Sequence, residues 1–139
     1  MKEKKNIMII GNGRLGSMLA KKLSEGDNDV TVVDYDENTF TDINIEFSGF
    51  THLGDATSLD TLIAAGIEKC QVVICVTNND NVNIFAALVA KAVFGVQKVI
   101  AKIYEDSRRI ALEGYDIITI LPSVLSIEAF NACLGSLGD

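Results

Sequence analysis

The sequence predicts a doubly wound α/β fold, a Rossmann-like parallel sheet of six strands in the order 3-2-1-4-5-6 with helices on both faces. Three observations predict it. Apolar runs of strand length alternate with helix-forming segments along the whole chain. The first run, Ile7 to Ile10, passes into Gly11, Gly13 and Gly16, spaced as G-x-G-x-x-G. The second run, Val30 to Val33, ends in Asp34, 18 residues beyond Gly16. Strand, glycine turn, helix, strand and acid, in that order, make a dinucleotide-binding unit.

Met1 to Asn6 is a polar lead-in to strand one. Helix one follows the glycines, with Leu15, Met18, Leu19 and Leu23 forming an i, i+3/i+4 stripe. Gly26 is the expected left-handed cap at its end. After strand two, helix two starts from Asp36 or Asn38 as candidate caps and runs to about Ile45. Phe50 to Leu53 is a short third strand, and Gly54 to Thr57 is its exit turn. Ser58 is placed to cap helix three, with Leu59, Leu62 and Ile63 on its apolar side and Gly66 at its end.

Gln71 to Val76 reads as strand four, with Thr77 to Asn81 as its exit turn. Val82 to Phe94 reads as helix four, where Asn83 and Lys91 are the polar residues. A helix apolar on nearly every side is buried on more than one side. The sheet covers one face, so the other is expected to meet a partner subunit. Lys98 to Lys102 is strand five, Glu105 to Leu112 a short helix and Ile117 to Leu121 strand six. Pro122 and Ser123 open a last helix with apolar positions at Val124, Ile127, Phe130, Leu134 and Leu137. No linker or repeat interrupts the alternation, so residues 1–139 are expected to form one domain.

Composition narrows the function. A net charge of −7 argues against binding nucleic acid by broad phosphate neutralisation. No apolar run approaches the roughly 20 residues of a membrane span, and no secretory leader is recognisable. The cysteines, Cys70, Cys75 and Cys133, are odd in number and lack C-x-x-C spacing. Neither a disulfide framework nor a zinc site is expected from them, and a reduced cytosolic setting fits.

Ligands of such sheets bind outside the carboxyl ends of the strands, where the strand order reverses. Gly11 permits a sharp exit from strand one, Gly13 a close approach of pyrophosphate and Gly16 tight packing of helix on strand. The start of helix one offers free N–H groups to phosphate. Asn12 and Leu15 complete this turn and are counted with the cofactor site, as is Tyr35 beside the acid. Asp34 is placed for ribose hydroxyls, and its charge disfavours a 2′-phosphate. Asp55 and Thr57 reach an adenine or ribose edge, while Thr77, Asn78 and Asn79 suit a nucleoside or phosphate rim. Arg14 is a candidate for a terminal phosphate, and Lys102 a weaker one.

Catalytic groups are not evident. His52, the only histidine, sits in the short third strand and reads as structural. There is no Tyr-x-x-x-Lys pair and no G-x-x-x-x-G-K-[ST] loop. A dehydrogenase needs a substrate-holding region, whereas one helix follows Leu121. The chain therefore reads as a nucleotide sensor and not an enzyme. The alternative is a small NAD-dependent oxidoreductase, which requires a proton donor beside the nicotinamide.

Four stretches together resemble the TrkA-N family, also called RCK or KTN, of regulators of potassium channels and transporters. They are Ile9-Ile10-Gly11-Asn12-Gly13-Arg14-Leu15-Gly16, Val33-Asp34, Gly54-Asp55-Ala56-Thr57 and Val76-Thr77-Asn78-Asn79-Asp80-Asn81-Val82-Asn83. Ile100-Ala101-Lys102-Ile103 is similar to the family's strand-five end. The resemblance implies a cytoplasmic subunit, peripheral at the inner face of the cell membrane, that dimerises and assembles into rings, commonly octameric, beneath an integral-membrane potassium transporter subunit. It implies NAD, NADH, ATP, ADP or AMP in the cleft. Gly11, Gly13, Arg14 and Gly16 would then hold phosphates, Asp34 the ribose, Asp55, Ala56 and Thr57 the adenine region, and Thr77 and Asn78 the cleft wall. Two departures stand out. Many members carry a second, C-terminal lobe, and many have a glutamate after the proline that ends strand six, where this chain has Ser123.

Overall fold

The computed structural model describes residues 4–41 and 47–135. It has six parallel strands: β1 (Asn6–Ile10), β2 (Asp29–Asp34), β3 (Phe50–Leu53), β4 (Val72–Cys75), β5 (Lys98–Lys102) and β6 (Ile118–Ile120). Their order is β3-β2-β1-β4-β5-β6, as the sequence predicts. The reversal between β1 and β4 leaves a crevice at the carboxyl ends of the two central strands.

Alternation along the central strands sends side chains to two cores. Met8 and Ile10 of β1 point to one face with Val73 and Cys75 of β4. This face is covered by α3 (Leu59–Ala64) and α4 (Asp80–Leu88), which contribute Leu62, Ala86 and Ala87. Ile7 and Ile9 point to the other face with Val30, Val32 and Ile74. It is covered by α1 (Arg14–Glu25) through Ala20, Leu19 and Leu23. Burial on both faces is why these strands are apolar throughout instead of alternating.

Several local expectations are corrected. Gly26 is not left-handed, with φ −83°. Asp27 takes the positive φ of 62°, and the Asn28 side chain donates to the Leu23 carbonyl at 2.9 Å, closing α1. Ser58 precedes α3, but its side chain makes no capping bond. Helix four starts two residues earlier than expected, because the Asn79 side chain accepts from the N–H groups of Asn81 and Val82. It continues as a π-helical turn over Val89–Val93. There the Lys91 ammonium donates to the carbonyls of Val96 and Gln97. The segment Asp106–Leu112 is 3₁₀-helical.

α2 is seen over Asn38–Thr41, with Asp36 accepting from the Asn38 N–H. Its expected end near Ile45 and the last apolar helix position, Leu137, lie outside the described residues. The final helix, α5 (Pro122–Leu134), buries no residue. Among the described residues, no helix is long and apolar enough to cross a membrane.

Candidate functional site

The carboxyl ends of β1 to β4 open on a cleft of about 700 Å³, a size typical of cofactor sites. Four stretches line it: the glycine turn at Gly11 and Gly13, Asp34 to Asp36, Gly54 to Thr57, and Thr77 to Asn79. Backbone bonds hold these exits together. Gly11 N–H donates to the Val33 carbonyl at 2.8 Å, Val76 N–H to Ile10 at 2.8 Å, and Gly54 N–H to Asp34 at 2.9 Å.

The three glycines have different reasons. Gly11 has φ +110°, and a Cβ there would lie 2.9 Å from the Thr77 nitrogen. A Cβ on Gly16 would land on the Gly11 carbonyl. At Gly13 an added Cβ would meet no described residue within 4 Å other than its own chain neighbours, and the residue faces the cleft. Packing within the chain does not require a glycine at position 13; a group approaching the start of α1 from the cleft would. No side chain caps α1 and no acid lies in its first turn. Its first N–H groups and the positive end of its dipole are therefore left for an anion.

Asp34 stands opposite. Its Oδ2 accepts from the Asn12 N–H at 2.8 Å and its Oδ1 from the Asp36 N–H at 2.9 Å. Each carboxylate oxygen keeps a second lone pair, so Asp34 can order the glycine turn and still accept from a ribose. Asn12 is buried at 4% exposure and donates through Nδ2 to the Thr39 carbonyl. Its Oδ1 has no hydrogen-bond partner among the described residues. It therefore ties the turn to α2 from outside the cleft wall.

On the third exit, Asp55 Oδ1 accepts from the Thr57 hydroxyl at 2.7 Å and the Thr57 N–H at 2.9 Å. That hydroxyl, then the N–H, holds the Asp55 carboxyl below its ordinary value. Asp55 thus carries its negative charge throughout the physiological range, and Ala56 is buried beside it. At β4, the Thr77 hydroxyl is 2.7 Å from Asn83 Oδ1 and turns inward to it. What Thr77 offers the cleft is mainly its backbone and methyl, while Asn78 is exposed at the rim.

The other expected site residues are more dispersed. Tyr35 lines the cleft mouth with its ring largely exposed. Arg14 lies in a smaller neighbouring pocket with Asn12, Ser17, Asp36, Asn38 and Thr39. Leu15 is exposed on α1 and lines neither pocket. Lys102 Nζ is 3.5 Å from Asn78 Oδ1, a contact at the limit of hydrogen bonding, and does not line the cleft. Sequence reasoning missed Thr39 and Val82 as cleft residues and read Asp36 only as a helix cap. Their nearness to Asp34 and to the β4 exit was the available signal.

His52 is half-buried in β3, in register with Val33, and does not line the cleft. Cys75 is fully buried, and burial pushes its thiol up to about 12; Cys70 is pushed up to about 11 for the same reason. Neither is a thiolate nucleophile at neutral pH.

Comparison with known proteins extends this description. The family profile described as the TrkA-N domain matches residues 7–121. The chain is 38% identical over 115 residues to the Trk system potassium uptake protein TrkA of Streptomyces coelicolor, covering 83% of this chain and 52% of that protein. It thus spans about half the length of that relative. Among solved structures it is similar to the RCK domain of GsuK, with a TM-score of 0.81 at 25% identity, over 96% of this chain and 28% of the other. Structures described as GsuK bound to ADP and the GsuK channel bound to NAD each give a TM-score of 0.80 at 25% identity. They are covered by 94% and 96% of this chain, which spans 34% and 24% of theirs.

Proposed function

The chain belongs to the TrkA-N family, and from that premise we propose that it is a nucleotide-sensing regulatory subunit of a potassium uptake system. The observation that carries this reading is the open face of Gly13 at the uncapped start of α1, set across the cleft from Asp34. An anionic group fits the first and ribose hydroxyls the second. NAD, NADH, ATP, ADP and AMP share both groups, and the ADP-bound and NAD-bound GsuK structures support this ligand class. The name of the Streptomyces relative supports potassium uptake as the process.

In this reading the nucleotide's diphosphate lies over Gly11 and Gly13, its ribose on Asp34, and its adenine beside Asp55, Ala56 and Thr57. The buried Gly16 keeps α1 close beneath the diphosphate instead of touching phosphate. Arg14 reaches a terminal phosphate from the neighbouring pocket, and Lys102 supports Asn78 from behind. Ligand binding biases the chain between two shapes in proportion to its differential affinity for them, and the shape gates an integral-membrane transporter subunit at its cytoplasmic face. The site senses and does not catalyse. Calorimetric titration with NADH, ATP, ADP and AMP, followed by potassium flux with the membrane partner present, tests this. Absence of binding by all four refutes it.

The regulatory reading includes self-association. α5 exposes Leu125, Ile127 and Phe130, with Phe130 at 71%, and β6 exposes Ile118 and Ile120. Phe85 of α4 and Val93 of the π-helical turn that follows it are exposed as well. A 13-residue helix that buries none of its residues among the described ones is marginal in water, so a second copy of the chain is its proposed cover. Light scattering at tens of micromolar, on the order of assay concentrations for modest interfaces, is expected to give a dimer or larger ring. The double variant Ile127→Asp, Phe130→Asp is expected to be monomeric with an unchanged fold. A strictly monomeric parent chain overturns the assembly.

A further inference from the structure

We infer that Asn83 and Asp80 form a clasp that carries the state of the nucleotide cleft to the β6–α5 end of the chain. The inference rests on the nucleotide reading above and adds a route of regulation to it.

Asn83 is the fully buried polar residue of α4, at 0% exposure. Its Oδ1 accepts from the Thr77 N–H at 2.9 Å and the Thr77 hydroxyl at 2.7 Å. Its Nδ2 donates to the Thr77 carbonyl at 3.1 Å and the Lys102 carbonyl at 2.9 Å. The two amide protons and the oxygen's lone pairs are all used. One side chain thus grips the cleft-lining Thr77 on three atoms and the end of β5 on a fourth.

Asp80 adds a second tie. Its two oxygens accept from the N–H groups of Tyr104 and Glu105 at 2.8 and 3.0 Å. Arg108 adds a third, donating to Asn81 Oδ1 at 2.6 Å. The end of β5 so held is bonded sideways to the last strand. Ile103, fully buried, donates its N–H to the Ile120 carbonyl at 2.9 Å, and Lys102 is in register with Ile120. Two residues after Ile120, Pro122 begins α5.

Every step from the cleft wall to the start of α5 is therefore a hydrogen bond or one or two peptide links. Asn83 is buried with every polar atom bonded, so a displacement of Thr77 that broke one of its bonds would strand the others, and Thr77 and the end of β5 shift or order together. A nucleotide that orders Thr77 to Asn79 thereby orders the end of β5, β6 and the base of α5. Asp80 is suited to test this because it ties the two exits together without lining the cleft.

Hydrogen exchange, read by mass spectrometry on peptides covering 98–105 and 117–134, tests the clasp with saturating ADP and NADH. In the parent chain the nucleotide is expected to slow exchange in both peptides by on the order of fivefold or more, the low end of typical coupling. Asp80→Ala is expected to bind nucleotide with parent affinity and to lose the slowing in 117–134. Asp80→Asn, which keeps one acceptor, is expected to retain part of it, and it decides the matter if Asp80→Ala fails to fold. Nucleotide binding without slowing in the parent 117–134 peptide overturns the clasp while leaving the sensor reading intact. An Asp80→Ala response equal to the parent's overturns it as well. A parent chain that binds no nucleotide overturns the sensor reading, and the clasp with it.

Discussion

Asp34→Ala is expected to weaken NADH and ADP together, by roughly 10-fold to 100-fold in calorimetric titrations, the worth of hydrogen bonds to a charged acceptor. The carboxylate has two duties that this variant removes at once. It accepts the Asn12 and Asp36 N–H groups, which order the glycine turn and the start of α2. It is also the proposed ribose acceptor. A double-mutant cycle separates the duties. If Asp34 meets the ribose, 2′-deoxy-ADP binds the parent chain more weakly than ADP does, and the variant no longer distinguishes the two. If Asp34 only orders the turn, both ligands lose affinity in parallel. Unchanged affinity for ADP and NADH removes Asp34 from the site altogether. The parent chain is also expected to prefer NADH over NADPH, because a 2′-phosphate would be placed against the negative charge of Asp34.

Gly16→Ala and Gly13→Ala are expected to fail in opposite ways. The Cβ at position 16 would coincide with the Gly11 carbonyl, a backbone atom that cannot swing aside. α1 must then move off the β1 exit. A cost of about 3 kcal/mol, the upper end of ordinary overpacking, would lower the melting temperature by roughly 10 °C. At position 13 the Cβ meets no described residue within 4 Å beyond its own chain neighbours. The fold is expected to stay within about 1 kcal/mol of the parent, the scale of a helix N-cap change. Nucleotide affinity is expected to fall sharply, because the methyl group occupies the approach to the first N–H groups of α1. Thermal melts read the first effect and titrations the second. A Gly13→Ala chain that binds ADP as tightly as the parent rules out the assigned diphosphate position.

The sheet, its strand order and the address of the cleft were legible in the amino-acid order alone. Those features follow from local chemistry. Apolar runs such as Val72–Cys75 must be buried on both faces, glycines mark the β1 exit, and Asp34 closes a run of β-branched residues. The motifs also carried the family, since Gly54 to Thr57 and Val76 to Asn83 supply two further exit turns. Packing across the folded chain set what each side chain does once there. It turned the Thr77 hydroxyl inward to Asn83, engaged both oxygens of Asp34 with backbone N–H groups, and set Arg14 in a neighbouring pocket. It also left α5 without a buried residue, although its sequence is as apolar as a core helix. The physical reason is one of range. Periodicity and turn chemistry act over a few residues, so sequence exposes them. A hydrogen-bond partner such as Lys102 for Asn83, 19 positions away, is chosen by the packing of the sheet that brings the two together.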